Sequence, residues 1–111
     1  MTESLDNPVW EELDPMVWRN AVYSDDAASN CMGKLFMQEV DFFREIAYKA
    51  KEEEQKVAVV EVGMGTAELF SKVEEDFDML VGVELNQMFI DCALKLHNNL
   101  KEHQGGKVNL I

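Results

Sequence analysis

The sequence predicts an α/β fold, on two changes of pattern and one order of elements. Residues 24–54 repeat apolar side chains at spacings of three and four, the signature of an amphipathic helix. From Lys56 the period shifts to a β-branched run, Lys56-Val57-Ala58-Val59-Val60-Glu61-Val62. Short helical and strand-like segments then alternate as βαβαβ, an order that calls for a parallel sheet with right-handed crossovers. Two regions follow: an N-terminal lead and helix over residues 1–55, and a βαβαβ unit over residues 56–111. The chain has 111 residues, of which 47% are hydrophobic and 29% charged, enough apolar material for one small core.

Residues 1–23 read as an irregular lead interrupted by Pro8 and Pro15, with Val9, Trp10, Met16, Val17 and Trp18 as apolar anchors that dock on a core. Ser24 suits a helix N-cap, and Asp25 and Asp26 follow where the helix dipole favours negative charge. The helix to about Glu54 carries one broad stripe: Met32, Leu35, Phe36, Val40, Phe43, Ile46, Ala47 and Ala50. The run Glu52-Glu53-Glu54 reads as its solvated end. Val57–Val62 is nearly apolar on both faces, as a strand buried on both sides of a parallel sheet would be. Gly63-Met64-Gly65 breaks it, and Thr66 is expected to open a short helix to Val73. Met79–Val83 reads as the second strand, ending at Glu84. Asn86 is expected to cap a third helix with the stripe Phe89, Ile90, Ala93, Leu94, His97 and Leu100. Gly105-Gly106 is a turn, and Lys107–Ile111 begins a third strand.

Twenty-two acidic residues stand against ten basic ones, a formal charge of −12, and thirteen of the acids fall in the first 55 residues. Phosphate binding needs a basic surface, so this balance excludes nucleic acid as the main partner. It disfavours an anionic membrane for the same reason. Cys31 and Cys92 are too few for a disulfide scaffold and read as reduced thiols, which with the acidic, apolar-poor N-terminus points to a cytoplasmic protein. His97 and His103 are six apart, on different helix faces, and form no helical metal pair. Glu74-Glu75-Asp76-Phe77-Asp78 lacks the glycine and spacing of a calcium loop and reads as a solvated turn. No metal is expected.

The chemistry-bearing stretch is Val59–Ala67 together with Val81-Gly82-Val83-Glu84. A glycine-rich turn between strand and helix lets a ligand approach the backbone, since no Cβ stands in the way. The helix start adds free N–H donors. Glu84 lies nineteen positions beyond Gly65, where an acid at the end of the next strand can grip two ribose hydroxyls. A dinucleotide fingerprint would need a small residue at position 68, which is Glu68, and an acid inside the first strand is unwelcome beside pyrophosphate. Glu61 is such an acid, and it suits a cationic ligand instead.

Val60-Glu61-Val62-Gly63-Met64-Gly65-Thr66-Ala67 resembles the first motif of the class I S-adenosylmethionine-dependent methyltransferases, and Gly82-Val83-Glu84-Leu85 resembles their next motif. The third glycine of the first motif is replaced by Ala67. The resemblance, which spans Val57–Ile111, implies the first half of a Rossmann-like methyltransferase sheet, with S-adenosylmethionine as cofactor. It also implies that Gly63, Met64 and Gly65 line the cofactor, that Glu61 holds its ammonium end, and that Glu84 takes the ribose hydroxyls with Leu85 near the adenine. Tyr23 has two readings: ordinary packing, or an approach to the cofactor such as tyrosines before the fold make in some members. In the family's sheet order the first strand has a neighbour on each side, whereas this chain stops inside the third strand. The expectation is therefore a truncated, cofactor-binding half whose catalytic residues are unknown and whose methyl acceptor is a small molecule or protein. The competing expectation is a non-catalytic half-domain that pairs its exposed sheet edge with a partner chain.

Overall fold

The computed structural model describes residues 13–23 and 31–111, with backbone alone for 31–34. In order the elements are α1 (Pro15–Tyr23), α2 (Cys31–Glu52), β1 (Ala58–Val62), α3 (Glu68–Val73), a 3-10 turn (Glu74–Asp76), β2 (Met79–Val83), α4 (Gln87–Leu96), α5 (Asn98–His103) and β3 (Val108–Leu110). The expected α/β class holds. The three strands form one parallel sheet in the order β1-β2-β3. Ala58 to Val62 pair in register with Met79 to Val83, and Leu80 to Gly82 with Val108 to Leu110. Reciprocal bonds pin the strand starts: Val57 N–H donates to Asp78 Oδ2 (2.7 Å), and Asp78 N–H to the Val57 carbonyl (2.9 Å).

The lead is not irregular throughout: Pro15 begins α1 instead of interrupting the chain. Proline fits the first helical position, where its missing N–H has no partner to lose. Asp14 caps that start, its Oδ1 accepting from Met16 N–H at 2.8 Å. The expected cap at Ser24, with Asp25 and Asp26, lies outside the described residues. Along α2 the inward stripe is narrower than the sequence pattern. Val40 and Ala47 are buried and Phe36 and Phe43 pack beside them, while Leu35 and Ile46 face outward. The long third helix divides at His97, the C-cap of α4, whose N–H donates the helix's last bond to the Ala93 carbonyl at 3.0 Å and which leads into α5. Asn86 caps α4 as expected, its side-chain oxygen accepting from Met88 N–H at 2.9 Å.

One face of the sheet carries the core. Leu80, Val108 and Leu110 meet Phe70, Val73, Ile90, Ala93 and Leu100 from the helices, with Val40 and Ala47 of α2 beside them. Full burial of a side chain such as Phe70 is worth about 1.5–3 kcal/mol. The opposite face is bare, and here the strand expectation needs correction. Val60 is 64% and Val62 81% exposed, so β1 is covered on one side only, and Met79 on the same face is exposed too. The apolar alternation is real, but among the described residues no helix crosses to that side. The acidic turn also differs from expectation: Glu74 is buried and ion-paired to Lys107 Nζ at 3.0 Å. Among the described residues no helix is long and apolar enough to cross a membrane.

Candidate functional site

The turn after β1 is shaped by three left-handed residues at alternate positions: Gly63 (φ 73°), Gly65 (φ 61°) and Ala67 (φ 59°). Gly63 and Met64 both donate their N–H to the Val83 carbonyl, at 2.7 and 3.3 Å, which folds the turn across the end of β2. Ala67 takes the conformation that a third glycine would adopt freely, at a cost of about 1–2 kcal/mol. It also displaces the expected helix start. Thr66 is buried and precedes the left-handed residue, so α3 begins at Glu68, and the Thr66 hydroxyl donates to Glu68 Oε1 at 3.1 Å instead of capping the helix.

Glu84 follows β2 and is half-buried beside this turn. One carboxylate oxygen accepts from Gly65 N–H and the other from Asn86 N–H, each at 3.0 Å. The carboxylate is thus fixed between the glycine turn and the start of α4, at the carboxyl ends of the parallel strands. That is where open α/β sheets bind ligands. Glu61, on the covered face of β1, has no cation among its described neighbours. Burial, together with the Glu39 charge on α2, pushes its carboxyl from the ordinary 4.5 up to about 7.

Glu68 stands on the other side of the turn and is almost fully buried. Its Oε1 lies 2.6 Å from Arg19 Nε on α1 and 3.3 Å from His97 Nε2. Arg19 makes a true hydrogen bond, whereas the His97 nitrogen is close but poorly aligned. Burial alone would raise the Glu68 carboxyl, but the His97 and Arg19 contacts outweigh it and hold the group below 4.5. Tyr23 stacks edge-on against Trp18 and Phe36, at centroid distances of 5.6 and 4.9 Å. Burial, then the charges of Glu68, Glu61 and Glu39, push its hydroxyl to about 12. It is a packed residue that stands at the edge of the acidic cluster.

The structure brings Gly63, Gly65 and Glu84 into one site and sets Glu61 beneath the turn. Met64 is placed differently: its side chain is buried over Gly82, where a Cβ would run into its sulfur, so only its backbone borders the turn. Leu85 is fully exposed at the rim, free to swing over a ligand. Sequence reasoning missed Trp18 and Arg19 as neighbours of the turn. The pair Asp14-Pro15 was the available signal, because it starts the helix that carries both. His97 and His103 go to different carboxylates, Glu68 and Glu74. Among the described residues no three His, Cys, Asp or Glu side chains form a group that could hold a metal. Cys92 is a free, half-buried thiol; the side chain of Cys31 lies outside the described residues. No known protein family, curated protein or solved structure matches the chain.

Proposed function

We propose that this chain is the cofactor-binding half of an S-adenosylmethionine-dependent methyltransferase with a small-molecule or protein acceptor. The observation that carries the reading is the Glu84 carboxylate, held by backbone N–H groups of both the glycine turn and the next helix. A carboxylate fixed in that way is preorganised to accept two ribose hydroxyls. Around it are the bends at Gly63 and Gly65 and the acid Glu61, which no cation compensates among the described residues. A sulfonium cofactor would supply an activated methyl group for in-line SN2 transfer, and the protein's part is orientation. Glu84 fixes the ribose, Glu61 meets the α-ammonium, and Leu85 borders the base. The charge of −12 directs the reading away from nucleic acid and anionic membranes. The cytoplasm is the expected compartment.

Calorimetry with S-adenosylhomocysteine tests this. Binding is expected to the wild-type protein and to be lost, by about tenfold or more, in Glu84→Ala; unchanged affinity in that variant would remove the basis of the assignment. Glu61 adds a sign. An ammonium group beside it favours the ionised carboxylate, so affinity is expected to fall as pH drops below about 7, and Glu61→Gln is expected to flatten that dependence.

A second reading has its own observation. Val60 and Val62 are exposed on the bare face of the sheet, and β1 has no outer neighbour among the described residues. A non-catalytic half-domain that pairs this edge with a partner chain would account for both. Light scattering that finds a folded monomer at high concentration counts against that reading.

A further inference from the structure

Gly63 and Gly65 share a left-handed backbone but not their surroundings. A Cβ at Gly63 would meet nothing within 4 Å, whereas at Gly65 it would lie 2.8 Å from Cη2 and 3.0 Å from Cζ3 of Trp18. The left-handed backbone at 65 favours glycine by itself, and the space that a Cβ would fill there is taken by the protein's own indole, which rests on the face that the methyltransferase resemblance assigns to a ligand. The same Gly65 donates its N–H to Glu84 at 3.0 Å. A ribose gripped by Glu84 and the Trp18 ring consequently converge on one glycine.

We propose that Trp18 holds the ligand's place on Gly65, so that α1 is an autoinhibitory strap which a nucleoside ligand must displace; this rests on the proposed function above. Besides the Tyr23–Phe36 contact with α2, at a centroid distance of 4.9 Å, three side-chain contacts fasten the strap beside the turn. Arg19 Nε binds Glu68 at 2.6 Å, Met16 Sδ lies 3.6 Å from Cys92 Sγ on α4, and the indole packs edge-on against Phe89 with centroids 5.7 Å apart. They join α1 to two elements that flank the turn, α3 through Glu68 and α4 through Cys92 and Phe89. None is covalent, and only the Arg19–Glu68 bond is charge-assisted, so the strap can open without unfolding the sheet. A ligand that binds the open state has its affinity reduced by the fraction of molecules that are open.

The test compares S-adenosylhomocysteine affinity of the wild type and Trp18→Ala by calorimetry, with Trp18 emission followed in a Trp10→Phe background that leaves one indole. The expected result is binding about tenfold tighter in Trp18→Ala, corresponding to removal of one competing contact, with Trp18 emission moving to the red as the ligand expels the ring into water. Weaker or unchanged binding in Trp18→Ala, or no red shift, would make Trp18 a wall of the site and overturn the strap while leaving the nucleoside reading in place. Failure of both proteins to bind overturns the two together. Should Trp18→Ala not fold, Trp18→Phe keeps an apolar ring against Phe89 but shortens its reach to Gly65. It is expected to tighten binding by a smaller factor, and an unchanged or weaker affinity has the same adverse meaning.

Discussion

The two sides of the glycine turn carry carboxylates with opposite fates. On the β1 side, Glu61 sits against Glu39 with no cation beside it among the described residues, and rises to about 7. On the α3 side, Glu68 is the more deeply buried, yet Arg19 and His97 hold it below 4.5. Burial pushes both groups upward, so depth does not decide their charge. The partner does. Glu68 is compensated by Arg19 and His97 and serves the docking of α1, whereas Glu61 has no such partner among the described residues.

The largest break in this contrast is Glu68→Leu. It strands Arg19 and His97 beside a buried apolar group, and urea denaturation is expected to show a loss of about 2–4 kcal/mol, at the lower end because Arg19 is partly solvated. Glu68 also predicts an acid limb. Its carboxyl is depressed in the folded state, so its contribution is present above the unfolded value near 4.5 and is lost as pH falls through the lower folded value. Glu61 predicts the reverse. Its folded value is raised, so the native state holds the proton longer, and stability is expected to decline as pH rises from about 4.5 to about 7 and then level off. Glu61→Gln should remove that decline and stabilise the protein at pH 8 by about 1–2 kcal/mol, a figure reduced for the solvent that reaches the group. Matched denaturation series across pH 4–8 for wild type and variant isolate the difference. The smallest effect is expected at Lys49→Ala, which removes an ion pair with Glu45 at 3.6 Å on the solvated face of α2. A change above about 0.5 kcal/mol there would show that exposed charge matters more in this protein than the buried contrast implies.

How much was legible beforehand differs by element. The strands at 58–62, 79–83 and 108–110 follow from local β-branched runs bounded by turn residues, and Asn86 announces its cap because capping involves only neighbours two residues away. Gly63, Gly65 and Glu84 converge because a parallel βαβ unit must bring the ends of adjacent strands together. The start of α1 was misread: proline breaks a helix interior but favours its first turn, and only Asp14 tells the two apart. The stripe of α2 was too wide, since periodicity marks a face but not how much of it a neighbour covers.

The sequence by itself determined the α/β class, the order of its elements and the acid-bounded glycine turn, all of which depend on contacts within a few residues or on the geometry of one crossover. Only the tertiary structure decided that Trp18 lies on Gly65, that Arg19 answers Glu68 across forty-nine positions, and that β1 is bare on one face. Those outcomes depend on which surfaces remain for α1 and α2 to cover once the sheet has formed, and no local pattern of residues encodes that.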